Sequence, residues 1–338
     1  MKTKILFYLL LTGLLLVGCS SGKPKIGLLV HSFDTPRWHS DEKYFIEAVD
    51  QLGGVSVVKM AENDAQKQIE QAKEMINAGI SVLVVIPVDQ FSAGQIVEMA
   101  HKSNIKVIAY DRLINNCWLD YYVSSDNVRI GEIQAEYLTN TTPTGNYALI
   151  GGPTYDNNSR MIFLGQMNIL QPYIEKGEIK LVYNVFSDYW TEDEGYRHTI
   201  KLIQSSKGAV DAILAGNDAI ALGVLRALKE KGMAGKVKLA GQDADLPNIQ
   251  EIMRGNQTMT VYKPIKTMAF TVAELAILLA GDSPVPLATS TISNGNRLVP
   301  SYLVSPMAIN ESNIQMTVVA EGYQEADKIL KYSHKKDK

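Results

Sequence analysis

From Lys25 the chain alternates two patterns of hydrophobic and polar positions. Short apolar runs predict strands buried on both faces, and longer stretches with apolar residues three or four apart predict amphipathic helices. In the first half the runs fall at 25–30, 55–60, 81–87 and 106–110, with helical stretches at 41–53, 65–79 and 92–104 between them. The second half repeats the plan, with strands at 146–152, 180–186, 209–216 and 236–242. Its helices are predicted at 158–177, 192–206, 219–232 and 246–256. Apolar strands alternating with helices argue for parallel sheets in α/β units. The halves share arrangement rather than sequence, so the predicted fold class is α/β with two doubly wound parallel-sheet lobes. In such sheets ligands bind beyond the carboxyl ends of the strands.

Polar side chains stand at those ends. The run Val107–Tyr110 stops abruptly in Asp111 and Arg112, and the strand ending at Pro87 leads to Asp89. In the second half the strands lead to Asp156-Asn157-Asn158, to Asn217-Asp218 and to Asp243-Ala244-Asp245. Some of these have a structural explanation, because Asp and Asn cap helices; Asp218 and Asp245 are assigned that role. Capping does not call for Arg112 beside Asp111. Ionised carboxylates accept hydrogen bonds, Arg and Lys donate, and Asn does both. Such a mixture suits a neutral ligand rich in hydroxyl groups. The three tryptophans, Trp38, Trp118 and Trp190, all fall in predicted loops, where an aromatic face could cover the C–H face of a sugar.

Composition narrows the classes. The chain has 338 residues, long enough for two domains, and 46% hydrophobic with 20% charged residues is ordinary for a globular protein. A formal charge of -3 offers no field for nucleic acid. Five scattered histidines and two cysteines predict neither a metal site nor an internal disulfide, and no cofactor motif is present. Carboxylates interleaved with Arg, Lys and Asn are held ionised, which disfavours a glycosidase pair, and from Lys25 on the chain has no G-x-G-x-x-G, P-loop or G-x-S-x-G pattern to support another enzyme reading. Residues 1–18 combine a basic start with an apolar run too short to span a bilayer, and predict a signal peptide. Leu16-Val17-Gly18-Cys19 resembles the lipobox of bacterial lipoproteins, so 19–24 is expected to be a lipidated linker; a plain export signal with a chance Cys is the alternative.

The segments PRW (36–38), IPVD (86–89), AYDRLIN (109–115), GNYALIGG (145–152), DNN (156–158), AGND (215–218), AGQDADLPNI (240–249) and QTMTVYKPI (257–265) follow one another in a familiar order. The sequence resembles the ribose-type substrate-binding proteins of sugar ABC transporters, and among them the D-xylose-binding group, over nearly the whole chain after the signal. The resemblance implies a type I periplasmic binding fold, its two lobes joined by three crossovers. These would fall near 125–127, 261–264 and 299–301, giving a first lobe of 25–125 plus 264–298 and a second of 126–263 plus 299–338. It implies ligand-binding roles for Arg37, Trp38, Asp111, Arg112, Asn158, Trp190, Asn217, Asp243 and Lys263, with the two tryptophans packing on the sugar from opposite lobes. Relatives carry acidic residues just after the first strand; here His31 and Asp34 stand there. The implied protein is a monomer anchored to the membrane by lipid. It would hand a monosaccharide, xylose or a related pentose, to an ABC permease, or present its closed form to a membrane sensor receptor or kinase.

Overall fold

The computed structural model describes residues 22–330. The signal segment and Cys19 lie outside the described residues. The first half runs β1 (Lys25–Val30), α1 (Pro36–Gln51), β2 (Val55–Met60), α2 (Ala65–Asn77), β3 (Val82–Val85), α3 (Gly94–Lys102), β4 (Lys106–Tyr110) and β5 (Tyr121–Ser125). The second begins with α4 (Asn127–Thr141), β6 (Gly145–Gly151), α5 (Asn157–Glu175), β7 (Ile179–Phe186) and α6 (Glu192–Ser205). It continues through β8 (Ala212–Ala215), α7 (Asp218–Glu230), β9 (Lys238–Ala240), α8 (Leu246–Met253) and β10 (Thr260–Tyr262). After them come α9 (Ile265–Ala280), β11 (Ser290–Ser293), β12 (Leu298–Val304), β13 (Met307–Ile309) and α10 (Ala326–Leu330).

The strands form a seven-stranded sheet, β11-β12-β5-β4-β3-β1-β2, a four-stranded sheet, β7-β6-β8-β9, and a two-stranded ribbon of β10 and β13. Side chains alternate across the first sheet as a period of two requires. Ile26, Leu28, Val82 and Val84 face one core layer, with Phe45 of α1 and Met268 of α9. Leu29, Leu83, Val85 and Val107 face the other, with Ile96 of α3. Both faces are covered, which is why these runs are continuously apolar. In the second lobe α4 and α5 cross at Gly131 and Gly165. A methyl group at either would overlap the backbone of the other helix, at Ile162 and Val128 respectively.

The chain passes between lobes three times. It leaves the first sheet after Ser125, returns through Lys263-Pro264 and leaves again through Ser305-Pro306. The last crossing corrects the boundary expected near 299–301. Leu298–Val304 is a strand of the first sheet: Ser301–Val304 pair in parallel with Tyr122–Ser125, and Leu298–Ser301 pair antiparallel with Ser290–Ser293. The first lobe therefore extends to Val304, and the second resumes near Met307. The first and third crossings are tied together, since Ser125 Oγ and Asp126 N donate to the Val304 carbonyl at 3.0 and 3.2 Å.

Three further expectations change. Helix α1 begins at Pro36 rather than near Asp41, which puts Trp38 on its first turn instead of in a loop. Asn217, not Asp218, caps α7, its side chain accepting from Ile220 N at 2.9 Å. Asp245 occupies the cap position of α8 without a side-chain capping bond. Asp218 is instead wholly buried beneath the strand ends, where it accepts from Asp245 N at 2.9 Å and from Thr260 Oγ1 at 2.9 and 3.0 Å.

Candidate ligand-binding site

The carboxyl ends of the two parallel sheets face each other across a cavity of about 420 Å³. All nine residues singled out from the sequence lie on its wall: Arg37, Trp38, Asp111, Arg112, Asn158, Trp190, Asn217, Asp243 and Lys263. Trp118 does not. It is 63% exposed and carries the Arg297 guanidinium over its ring at 4.5 Å, so its loop position reflects a surface stack.

The two lobes aim their acids by the same device. Asp111 follows β4 with φ 59°, and Asp243 follows β9 with φ 105°. Each backbone N–H donates to the neighbouring strand, Asp111 to Val123 O at 2.8 Å and Asp243 to Val261 O at 2.7 Å. Left-handed backbone is unfavourable for residues other than glycine and is tolerated best by Asp and Asn. Here it turns each carboxylate away from its sheet and into the cleft. The Asp111 carbonyl is held from behind by Tyr122 Oη and Ser124 Oγ, both at 2.8 Å.

Between the acids stand two cations. Arg37 donates to Asp111 through Nη2 and to Asp41 Oδ2 at 3.2 Å, and its Nη1 lies 3.5 Å from Asp243 Oδ1. Lys263 Nζ lies 3.8 Å from Asp111 Oδ2 and 3.4 Å from Asp243 Oδ1. Burial alone would raise the Asp111 carboxyl, but the charges of Arg37 and Lys263 override it and hold it well below the usual carboxylate range. Burial likewise opposes charge on Arg37, and Asp111, Asp41 and Asp243 more than compensate, raising its pKa further. His31 is driven the other way, by burial first and then by Arg112, so it stands neutral at the cavity edge. Asp243 Oδ1 has no aligned hydrogen bond despite its two cationic neighbours. It keeps its capacity to accept from a ligand.

A second group closes the far side. Arg112 Nε meets Asp156 Oδ2 at 2.9 Å, and Trp190 Nε1 donates to the same oxygen at 3.1 Å. Asp156 also caps α5, accepting from Asn158 N at 3.0 Å. Asn158 Nδ2 donates to Asp111 Oδ1 at 3.0 Å. Trp190 lies over Gly152, where a methyl group would overlap its ring. Trp38, 5% exposed, is packed on one side by the Arg37 guanidinium at 4.3 Å and edge-on by His31. Asp34 also lines the cavity and accepts from Asn63 Nδ2 at 2.7 Å.

The links Arg37–Asp243, Asp111–Asn158 and Arg112–Asp156 all join one lobe to the other. So does Gln90, outside the cavity wall, whose Nε2 donates to Thr154 O at 3.0 Å. The lobes are thus closed on each other. The sequence pattern marks Asp156 only as a neighbour of Asn158 and does not mark Gln90, Asn127 or Gln242. For Asp156 the Asp-x-Asn cap at the start of a helix was a usable signal. Every cation in the site has a carboxylate partner. The arrangement therefore suits an uncharged ligand that both donates and accepts, rather than an anion.

Fold and site together define a two-lobed solute-binding protein. The profile of the periplasmic binding protein domain family matches residues 26–283, and the chain belongs to that family of non-enzymatic binding proteins. It is 39% identical over 331 residues to the D-xylose-binding periplasmic protein of Escherichia coli (strain K12), covering 97% of this chain and 100% of that one. It is 40% identical over 324 residues to the protein of the same name from Haemophilus influenzae, covering 95% and 97%. Among solved structures, a carbohydrate transporter solute-binding protein from Chloroflexus aurantiacus in complex with D-glucose superimposes with a TM-score of 0.86 at 28% identity. It covers 91% of this chain and 98% of that one.

Proposed function

We propose that this protein captures a monosaccharide, D-xylose before other sugars, between its lobes and delivers it to an ABC permease. The observation that carries the reading is the alternating ring of Asp111, Arg37, Asp243 and Lys263. It offers fixed acceptors and donors to successive hydroxyls, with Asp243 Oδ1 still free of a bond. Charge-assisted bonds of this kind are short and strong. Trp38 and Trp190, from opposite lobes, supply apolar surface for the C–H faces of the ring. The pentose is favoured over a hexose by the names of the relatives at 39% and 40% identity. Cys19 would carry lipid, and the short segment after it would let the lobes stand off the membrane; two or more acyl chains make such an anchor stable.

The test is a thermal-shift and calorimetric panel of xylose, ribose, arabinose, glucose and galactose. A ligand of the native state raises its apparent stability. Xylose should give the largest shift. A larger shift with another sugar overturns the xylose assignment, and no shift with any overturns sugar binding. Anchoring is read separately, by fatty-acid labelling that is lost in Cys19→Ser.

A further inference from the structure

We infer that Asn127, a residue outside the cavity wall, is a positioning residue that fixes the direction in which Asn158 and Asp111 present their polar atoms to the ligand. Asn127 is the first residue of α4 and is 1% exposed. Its Nδ2 donates to Asn158 Oδ1 at 3.0 Å and to Ser124 Oγ at 3.3 Å. Asn158 in turn donates to Asp111 Oδ1, and Ser124 donates to the Asp111 carbonyl.

These bonds form a circuit that starts and ends at Asp111, and its direction is forced. The single Ser124 hydroxyl hydrogen is committed to the Asp111 carbonyl, so toward Asn127 that oxygen can only accept. Asn127 must therefore present its NH2 group. That group can only donate, so Asn158 must turn its oxygen toward Asn127 and its NH2 toward Asp111. A reversed Asn158 amide would set its oxygen against the Asp111 carboxylate. Asn127 Oδ1 has no partner of its own. A buried carbonyl left unpaired is costly, so the position gains its value from the donor end. The circuit also spans the lobes, since Ser124 and Asp111 belong to the first and Asn127 and Asn158 to the second.

This inference rests on the reading of the cavity as a sugar site, and the experiment separates the two. Xylose affinity is measured by calorimetry for the unmodified protein, Asn127→Ala, Asn158→Ala and the double variant, each with its thermal unfolding. Asn127→Ala should weaken binding by about tenfold, the scale of one lost hydrogen bond. In the Asn158→Ala background the same change should have almost no effect, because Asn127 acts through Asn158. Losses that simply multiply would mark a general structural role and overturn the inference. Asn127→Asp adds a second readout. Its carboxylate cannot donate, so binding should be weak at pH 8 and recover toward pH 4 as the carboxyl regains its proton, relative to the unmodified protein at the same pH. No recovery in a folded variant counts against the circuit; if this variant does not fold, the alanine cycle decides alone. Sugar binding weakened by Asn158→Ala but not by Asn127→Ala overturns this inference only. Absence of binding to any monosaccharide in the unmodified protein overturns both.

Discussion

Replacing Asp111 by Asn removes one charge and turns one of two acceptor oxygens, which take bonds from Asn158 and Arg37, into a donor. The side chains share a shape, and Asn tolerates the left-handed backbone at φ 59°. Neither cation is stranded: Arg37 keeps Asp41 at 3.2 Å and Asp243 at 3.5 Å, and Lys263 keeps Asp243 at 3.4 Å. Removing one partner of a buried ion pair costs about 3–5 kcal/mol. With those partners remaining, the loss in stability should fall near the lower end, about 3 kcal/mol, or roughly 5–10 °C in Tm. Binding loses a hydrogen bond to an ionised acceptor, worth about 1.5–3 kcal/mol, so affinity should fall roughly 10- to 150-fold. Asp111→Ala should lose the same affinity and be less stable than Asp111→Asn by about 1–2 kcal/mol, because Ala does not suit the left-handed region. The charges hold the Asp111 pKa below its unfolded value. Its stabilising contribution is therefore complete above about pH 4 and drains away only in stronger acid. Titration calorimetry and thermal unfolding of both variants supply the numbers. A folded Asp111→Asn protein that binds sugar as tightly as the original would refute the placement of this carboxylate against the ligand. Equal stability of the two variants would refute the backbone argument.

Three other perturbations have defined outcomes. Gly152→Ala should push Trp190 out of its seat and weaken binding without touching the ligand, seen as an altered tryptophan emission change on titration; an unchanged titration contradicts the packing. Gln90→Ala removes a bond between the lobes worth about 0.5–1.5 kcal/mol to the closed state, and should weaken every sugar by the same factor, roughly two- to twelvefold. A change in the ratio of affinities between sugars would show that Gln90 does more than latch. Asp245 is pushed up to about 7, by burial first and then by the charge of Asp243. Its contribution to stability is thus full below about pH 4 and is lost as pH rises through about 7. Asp245→Asn, equally suited to a helix start, should remove that part of the decline in Tm between pH 4 and 8. Parallel curves for the two proteins would exclude the titration.

Much of the first sheet and of the cavity was legible because strands buried on both faces are continuous apolar runs, and polar groups at their ends interrupt them sharply. Asp111 and Asp243 announce themselves in this way. Elements that mix functions are less visible. Helix α4 buries Gln134, whose Nε2 donates to Ala215 O and Gly241 O at 3.0 and 2.9 Å, so its inner face does not read as an apolar stripe. Strand β12 contains Pro300, which argues against a central strand. Its pairing with β5 starts only at Ser301, so the missing N–H falls outside that ladder. Trp38 falls on a helix rather than in a loop because Pro36 occupies the first helical position, which proline suits. Asn127 leaves no signal in sequence at all. Its role depends on Ser124 and Asn158, which only the folded chain brings to it.

The crossings have a mechanical consequence. Two of the three consist of a residue followed by proline, Lys263-Pro264 and Ser305-Pro306, and proline fixes its own φ while barring the preceding residue from the helical region. The remaining one is pinned to Val304 by Ser125 and Asp126. The crossings thus leave few torsions free to absorb a change in the angle between the lobes. Under the proposed function, the shut outline shown to a permease then carries a single bit: the site is full. It says nothing of which sugar fills it, so chemical discrimination has to be finished inside the cleft before the outline is ever presented.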